Sequence, residues 1–273
     1  MGYRRQHNSK WYQGKPLRAV SRLLAAAVYN YPHRNLFIIG LPKSGTSWLN
    51  RMVAEVPGYQ NWTPPYITWT DHTLKEETLL DPPLGYTVTK LHCRPTPAHI
   101  ELFLKVRRPH VIIYRDLRDV AVSWFFYAHN VATADRVAHV KKMNKDEALS
   151  WWINNRLADY VAWVRGWKQG HDPALALMIR YEDLLADTFR VMKRVFDHYE
   201  VGLSDEKVKK IVDKHAFKSI TGRSAGQEDP HSFNRKGVAG DWVNHFTPDI
   251  KQQFKNVAGE ALQELGYTTD DKW

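Results

Sequence analysis

The sequence predicts an α/β fold, a parallel sheet with helices on both faces, and three observations predict it. Short apolar runs at Leu36 to Ile39, His110 to Tyr114 and Ala174 to Ile179 are each followed by a helical pattern. Strands that alternate with helices in this way are the mark of parallel crossovers. Lys43, His92, Arg115 and Tyr181 all fall at or just after a strand end, on the edge where such sheets hold ligands. A length of 273 residues suits one large α/β domain, or two small ones, with a sizeable core. We divide it into residues 1–33, an N-terminal extension and surface helix, and residues 34–273, a single globular domain.

Residues 1–16 are polar and basic, and Leu17 to Tyr29 reads as a surface helix packed on the domain. The stretch Asn35 to Trp48, NLFIIGLPKSGTSW, organises the rest. It reads as a buried strand, a loop from Gly40 to Gly45, and a helix that begins at Thr46 and Ser47. A strand that feeds a helix through such a loop offers backbone N–H groups and a positive dipole end to an anion. The spacing Gly40-x4-Gly45 is that of a P-loop, but Thr46 stands where nucleotide hydrolases place Lys, and Lys43 lies inside the loop.

Pro57 to Pro65 reads as a break, and the aromatic piece Gln60 to Asp71 as a loop that lines a pocket or covers the core. Tyr86 to His92 alternates like a strand and would project Lys90 and His92 to the same side. Pro95 and Pro97 lead into a helix through about Lys105. After the strand His110 to Tyr114 comes Arg115 and a helix through about Ala128, along which Arg115, Asp119 and Ser123 recur at every fourth position. Lys145 to Lys168 is a long helical region whose Trp151, Trp152, Trp163 and Trp167 read as core or pocket wall. Helices over Leu184 to Tyr199 and Ser204 to His215, a loop from Gly222 to Gly240 and a last helix over Pro248 to Leu265 complete the chain.

A net charge of +10 favours anionic ligands, a description that nucleic acid, membrane surface and phosphorylated cofactors all satisfy. The single cysteine, Cys93, excludes an internal disulfide framework, fits a reducing compartment and reads as a small buried hydrophobe. No apolar run approaches the roughly 20 residues of a membrane helix. A cytoplasmic protein without stable membrane insertion is therefore the expectation.

Five segments resemble, in order, the successive signatures of the cytosolic sulfotransferases: LPKSGTSWL (41–49), TKLH (89–92), YRDLRDVAVSWF (114–125), RYEDL (180–184) and FNRKGVAGDWVNHFT (233–247). The resemblance implies a P-loop-like three-layer sandwich with a central parallel sheet flanked by helices. It also implies 3′-phosphoadenosine 5′-phosphosulfate (PAPS) as sulfuryl donor and adenosine 3′,5′-bisphosphate (PAP) as product. Lys43, Ser44, Gly45, Thr46, Ser47 and Trp48 would then wrap the 5′-phosphosulfate, with Trp48 against the adenine. Arg115 and Ser123 would bind the 3′-phosphate, and Arg235, Lys236 and Gly237 would close over it. Tyr181 and Phe217 would contact the adenine.

His92 is the implied general base, Lys43 the cation that neutralises the leaving phosphate oxygen, and Lys90 a partner of the sulfuryl oxygens or the acceptor. A sulfuryl group carries less negative charge than a phosphoryl group, so no metal is expected. The acceptor would be a hydroxyl or amine of a small, partly apolar molecule; Trp62, Tyr66 and Trp69 with Phe125, Phe126 and Tyr127 read either as an apolar slot for it or as core. Two features depart from the family pattern. His215-Ala216-Phe217 replaces Thr-Ser-Phe, and the short dimer motif after GDW is reduced to Thr247 among Val243, Pro248 and Gln252, so that dimer contact is not expected. Two other readings explain less of the sequence. A P-loop kinase lacks its Lys at position 46 and an evident acidic site for Mg²⁺. A basic nucleic-acid-binding module lacks any zinc spacing or RNA-binding sheet motif, so no nucleic-acid partner is expected.

Overall fold

The computed structural model describes residues 24–67, 74–80, 83–132, 137–270 and 272–273. Its centre is a five-stranded, wholly parallel sheet in the order β2-β3-β1-β4-β5. The strands are β1 (Asn35–Gly40), β2 (Gln60–Asn61), β3 (Thr87–Leu91), β4 (His110–Tyr114) and β5 (Ala176–Arg180). Every residue of β1 is buried, because the strand is central and both of its faces are covered. Phe37 and Ile39 enter one apolar cluster while Leu36 and Ile38 enter the other. Each such fully buried side chain is worth about 1.5–3 kcal/mol of transfer free energy, which anchors the strand before any polar contact is considered.

On the Leu36 face lie α1 (Thr46–Val53), α8 (Thr188–His198) and α9 (Asp205–Lys214). The Phe37 face carries α3 (Pro97–Val106), α4 (Leu117–Phe126), α5 (Lys145–Trp152), α6 (Ala158–Gly170) and α11 (Pro248–Glu264). The short helices α2 (Glu76–Leu80), α7 (Tyr181–Ala186) and α10 (Phe217–Thr221) fill the connections. Two layers of helix around a central parallel sheet make the three-layer sandwich that the sequence implied. Trp152 and Trp167 are fully buried in the Phe37-face layer, whereas Trp151 and Trp163 reach a cavity.

The register sets the functional edge. Ile39 pairs with Leu91, Gly40 with Ile113 and Tyr114 with Arg180, so β1, β3, β4 and β5 end side by side. The residues that follow these ends, in the chain around Leu41, His92, Arg115 and Tyr181, are therefore neighbours.

Several local expectations are corrected. The expected break at Pro57 to Pro65 contains the edge strand β2, whose two residues are too short to leave an apolar period. The helix expected over Leu184 to Tyr199 is two helices, divided at Asp187, whose side chain accepts from the Arg190 N–H and caps the second. The Trp-rich helical region is interrupted by a π-helical turn at Ile153–Leu157, and a second π turn, Tyr127–Val131, ends α4. The third apolar run pairs over Ala176 to Arg180 rather than Ala174 to Ile179. Phe217 opens a further short helix, α10, in a stretch where the sequence offers no helical period.

Of the expected surface helix, residues 24–28 are helical, and Leu17 to Leu23 lie outside the described residues. Ala25 packs in the Leu36-face cluster, and the Tyr86 hydroxyl donates to the Tyr29 carbonyl at 2.7 Å, so this segment docks on the domain. Thr247, the one survivor of the dimer motif, caps α11 by accepting from the Ile250 N–H, which is reason enough for a Thr there. Among the described residues, no helix is long and apolar enough to cross a membrane.

Candidate functional site

A cavity of about 520 Å³ opens at the strand ends, and it collects almost every residue singled out from the sequence. Lys43, Gly45, Thr46, Ser47 and Trp48 line it from the first loop, Lys90 and His92 from the end of β3, and Arg115 and Ser123 from β4 and α4. Tyr181, Phe217, Arg235, Lys236 and Gly237 close it from the C-terminal half. Ser44 is the exception. Its side chain is wholly buried away from the wall, and its Oγ finds no hydrogen-bond partner among the described residues.

The first loop is held tight at both ends. Leu41 N–H donates to the Ile113 carbonyl at 3.0 Å, and Gly45, at φ 80°, opens α1. A Cβ on Gly45 would lie 2.6 Å from the Tyr181 ring, so glycine is required both by conformation and by the ring behind it. The Trp48 and Leu49 N–H groups of α1 donate to the Gly45 carbonyl, and at such a helix start the dipole favours an anion.

Lys43 itself has a positive φ of 69°. Its ammonium sits over the Tyr127 ring at 4.1 Å and the Phe233 ring at 4.6 Å. Burial, with Arg115 nearby, lowers its pKa from the ordinary lysine value to about 7. Lys90, lowered by burial and by Arg51, donates to Ser47 Oγ at 3.2 Å. His92 Nδ1 lies 2.6 Å from the Gly40 carbonyl. A carbonyl can only accept, so Nδ1 carries the hydrogen and the lone pair of the neutral ring lies on Nε2.

The basic side chains of the far wall are held by three carboxylates, Asp119, Asp241 and Glu228, the last accepting from Arg235 at 2.7 Å. Asp119 accepts from Arg115 Nη2 at 3.1 Å and from the Gly240 and Trp242 N–H groups at 2.7 and 3.0 Å. Asp241 accepts from Arg235 and Lys236, each at 2.6 Å. Burial pulls the Asp241 carboxyl upward, but hydrogen bonds from Lys236, Asn244 and Arg235 hold it well below the usual carboxylate range. Arg115 also donates to the Val238 carbonyl and lies over the Tyr181 ring at 4.4 Å, while its buried Nε has no partner among the described residues. Arg223 donates to the carbonyls of Gln227, Asn234 and Arg235, which fixes the loop that carries the basic pair. Gly237, at φ 66°, lies so close to Phe217 that a Cβ would meet that ring at 2.5 Å.

Trp48 donates its indole N–H to the His215 carbonyl at 2.8 Å and meets Tyr181 edge-on at 6.3 Å. Trp48, Tyr181 and Phe217 thus form one aromatic part of the cavity wall. The residues that read as slot or core, Trp62, Tyr66, Trp69, Phe125, Phe126 and Tyr127, do not act as one group. Only Tyr127 of that group lines the cavity; Trp69 lies outside the described residues, and Phe125 and Phe126 pack on the core. Trp124, Trp151, Tyr160, Trp163 and Phe233 form the aromatic wall instead. Cys93 is buried beside this wall, its thiol pushed up to about 12 by burial, an inert hydrophobe.

The profile of the family described as "Sulfotransferase domain" matches residues 33–266. The chain belongs to the sulfotransferase family. Relatives include sulfotransferase 2A2 of Mus musculus, 24% identical over 92% of this chain and 94% of its own length. The amine sulfotransferase of Oryctolagus cuniculus is 24% identical over 85% of this chain and 81% of its own. Among solved structures, mouse sulfotransferase SULT7A1 complexed with PAP superposes with a TM-score of 0.64 at 19% identity, covering 92% of each chain. Retinol dehydratase in a complex with retinol and PAP gives 0.57 at 21% identity, over 90% of this chain and 86% of that one. This sulfotransferase therefore shares the P-loop-like α/β fold of those structures.

Proposed function

We propose that the protein transfers the sulfuryl group of PAPS to a hydroxyl or amine of a small, partly apolar acceptor. One observation carries the reading. Lys43, Arg115, Arg235 and Lys236 converge with His92 on one cavity at the C-terminal edge of the sheet. The chain's polar groups fit such a donor: Arg115 lines the cavity with a buried Nε that is unpartnered among the described residues, a costly state that a bisphosphate offsets. PAPS, when bound, supplies an activated sulfuryl group whose leaving group is the 5′-phosphate of PAP.

Arg115 and Ser123, with the Arg235-Lys236-Gly237 loop, hold the 3′-phosphate. The α1 amides and the hydroxyls of Thr46 and Ser47 hold the 5′ end. Trp48, Tyr181 and Phe217 take the adenine. His92, with its lone pair on Nε2, takes the proton of the acceptor O–H or N–H as the new bond to sulfur forms. Lys43 stabilises charge on the departing phosphate oxygen, and Lys90 orients the group in transit. Because these cations and amides suffice for a sulfuryl group, we propose that turnover is metal-independent; activity abolished by chelator and restored by Mg²⁺ refutes that step.

The test is a thermal-shift comparison of PAP, ATP with Mg²⁺ and a random oligonucleotide, followed by transfer assays with PAPS over phenols, steroids, alcohols and amines. A rise in Tm with PAP and sulfated product support the proposal. A shift with the oligonucleotide alone overturns it.

A further inference from the structure

The walls of the cavity carry eight Lys and Arg side chains and a single carboxylate, Asp159, among the described residues. Lys43, Lys90, Arg115, Arg235 and Lys236 answer the charge of the donor under the reading above. Arg51, Arg94 and Arg156 remain, and the last two stand by α6 and the turn that precedes it.

Three contacts define that part of the wall. The segment just after His92 is tied to α6 by the Trp163 indole N–H, which donates to the Cys93 carbonyl at 2.9 Å. Arg94 pairs with Asp159 on the same helix at 3.0 Å. Arg156 lies on the π turn that precedes α6, with its guanidinium 5.9 Å from the Trp151 ring. Trp151 in turn stacks on Trp124 at 5.7 Å and 14°. Both π turns thus place a residue on the cavity, Tyr127 from one and Arg156 from the other, as such turns often do at functional sites.

We propose that the acceptor is an aromatic hydroxy compound that also carries an anionic group, its ring held by Trp124, Trp151, Tyr160 and Trp163 and its anion by Arg156 and Arg94. This rests on the sulfotransfer reading and sharpens it. Indole and phenol faces select a flat ring through offset or edge contacts. With Arg94 paired to Asp159, the described part of this wall keeps one net positive charge at Arg156. The Arg94 side chain is 67% exposed and that of Asp159 48%, so they mark the mouth of the slot. An anion there stays partly hydrated and gains a charge-assisted partner at small desolvation cost. A guanidinium fork above an indole also suits a planar carboxylate on an aromatic ring.

The experiment uses the full chain with saturating PAPS and matched acceptor pairs: 4-hydroxyphenylacetate against its methyl ester, and 6-hydroxynaphthalene-2-sulfonate against 2-naphthol. The expected result is a kcat/KM higher by about tenfold for the anionic member of each pair, carried mainly by KM, and reduced by added salt. Arg156→Gln is expected to bring the ratio towards one, and Arg94→Gln to lower it less. A neutral member used as well as the anionic one, or a preference that survives both substitutions, overturns the inference. So does turnover confined to aliphatic alcohols or amines. The PAP-induced rise in Tm, measured on every protein, checks folding and keeps the two claims apart. Without that rise in the parent protein the sulfotransfer reading falls; with it, a wrong acceptor preference removes this inference alone.

Discussion

The two halves of the cavity are built on different plans. In the half we assign to the donor, each cation is held by a carboxylate, a carbonyl, a hydroxyl or a ring. Arg115 rests on Asp119 and Tyr181, Arg235 and Lys236 on Asp241, and Lys43 between Tyr127 and Phe233. In the acceptor half the wall is a set of aromatic side chains on helix faces, rimmed by exposed charge. A bisphosphate of fixed shape rewards a grip fixed in advance, because preorganised donors need no reorganisation on binding. An acceptor wall made of exchangeable side chains is free to change its substrate while the donor machinery stays as it is.

The largest expected effect lies where the halves meet. His92→Ala should reduce turnover by about 10²–10⁴-fold, while the PAP-induced Tm rise persists. Loss of PAP binding in that variant would mean that the imidazole, through its bond to the Gly40 carbonyl, belongs to the donor half instead. Next comes Gly45→Ala, which forces a Cβ against the Tyr181 ring at a φ of 80°. Backbone strain of about 1–3 kcal/mol predicts PAP binding weaker by roughly 10–100-fold, read by calorimetry, with acceptor KM unmoved. Acceptor KM rising in parallel would erase the division between the halves.

The same division explains what was legible in the sequence. The donor half follows from short, local patterns: Gly40 to Thr46 is one loop, TKLH one strand end, and RKG-x-x-GDW one segment, so each motif carries its own geometry. The strand ends that align them follow from apolar runs buried on both faces. The acceptor wall has no such motif. Trp124, Trp151, Tyr160 and Trp163 come from three helices, and the π turn Ile153–Leu157 stands between Trp151 and the pair Tyr160 and Trp163, shifting the helical period there. Period alone cannot choose among neighbours in the chain: Trp124, Phe125 and Phe126 are all half-buried against the core, yet of the three it is Trp124 that lines the cavity. Asp119 and Asp241 were within reach. A buried carboxylate four residues after Arg115, and another beside the RKG segment, are the partners that buried cations require.

Lys43 sharpens the comparison through pH. Burial, and then Arg115, lower its ammonium pKa from the ordinary lysine value to about 7. An anionic donor favours the charged form, so binding above pH 7 takes up a proton, and affinity falls as pH rises through about 8 and 9, by at most about tenfold per unit. Below pH 7 the lysine is already charged and contributes no pH dependence. Calorimetry of PAP binding at about pH 8 in buffers of different ionisation heat should report an uptake approaching one proton, absent in Lys43→Met. Uptake unchanged in that variant would assign the proton elsewhere in the site.

The smallest effect concerns how Trp48 is held. His215, which stands where the family pattern shows Thr, accepts the Trp48 indole N–H on its carbonyl, and its Nε2 meets Glu55 Oε1 at 3.0 Å. Lys214 reaches the other oxygen of Glu55 at 2.8 Å. Against the upward pull of burial, Lys214 and His215 hold the Glu55 carboxyl below its ordinary range, so it remains ionised at neutral pH. Its stabilisation is present above the unfolded carboxylate pKa and is lost only as acid protonates it. The clasp pins the chain between α9 and α10 to the end of α1, and thereby sets the spacing of Trp48 and Phe217 on the donor-side wall. Glu55 is 30% exposed and partly screened, so Glu55→Gln should weaken PAP binding only a few-fold, about 0.5–1.5 kcal/mol. Turnover at saturating PAPS should be retained, and His215→Ala, which keeps the carbonyl but loses the ring, should match it. Equal loss of kcat at saturation in both variants would place the clasp in the catalytic step rather than in the grip on the donor.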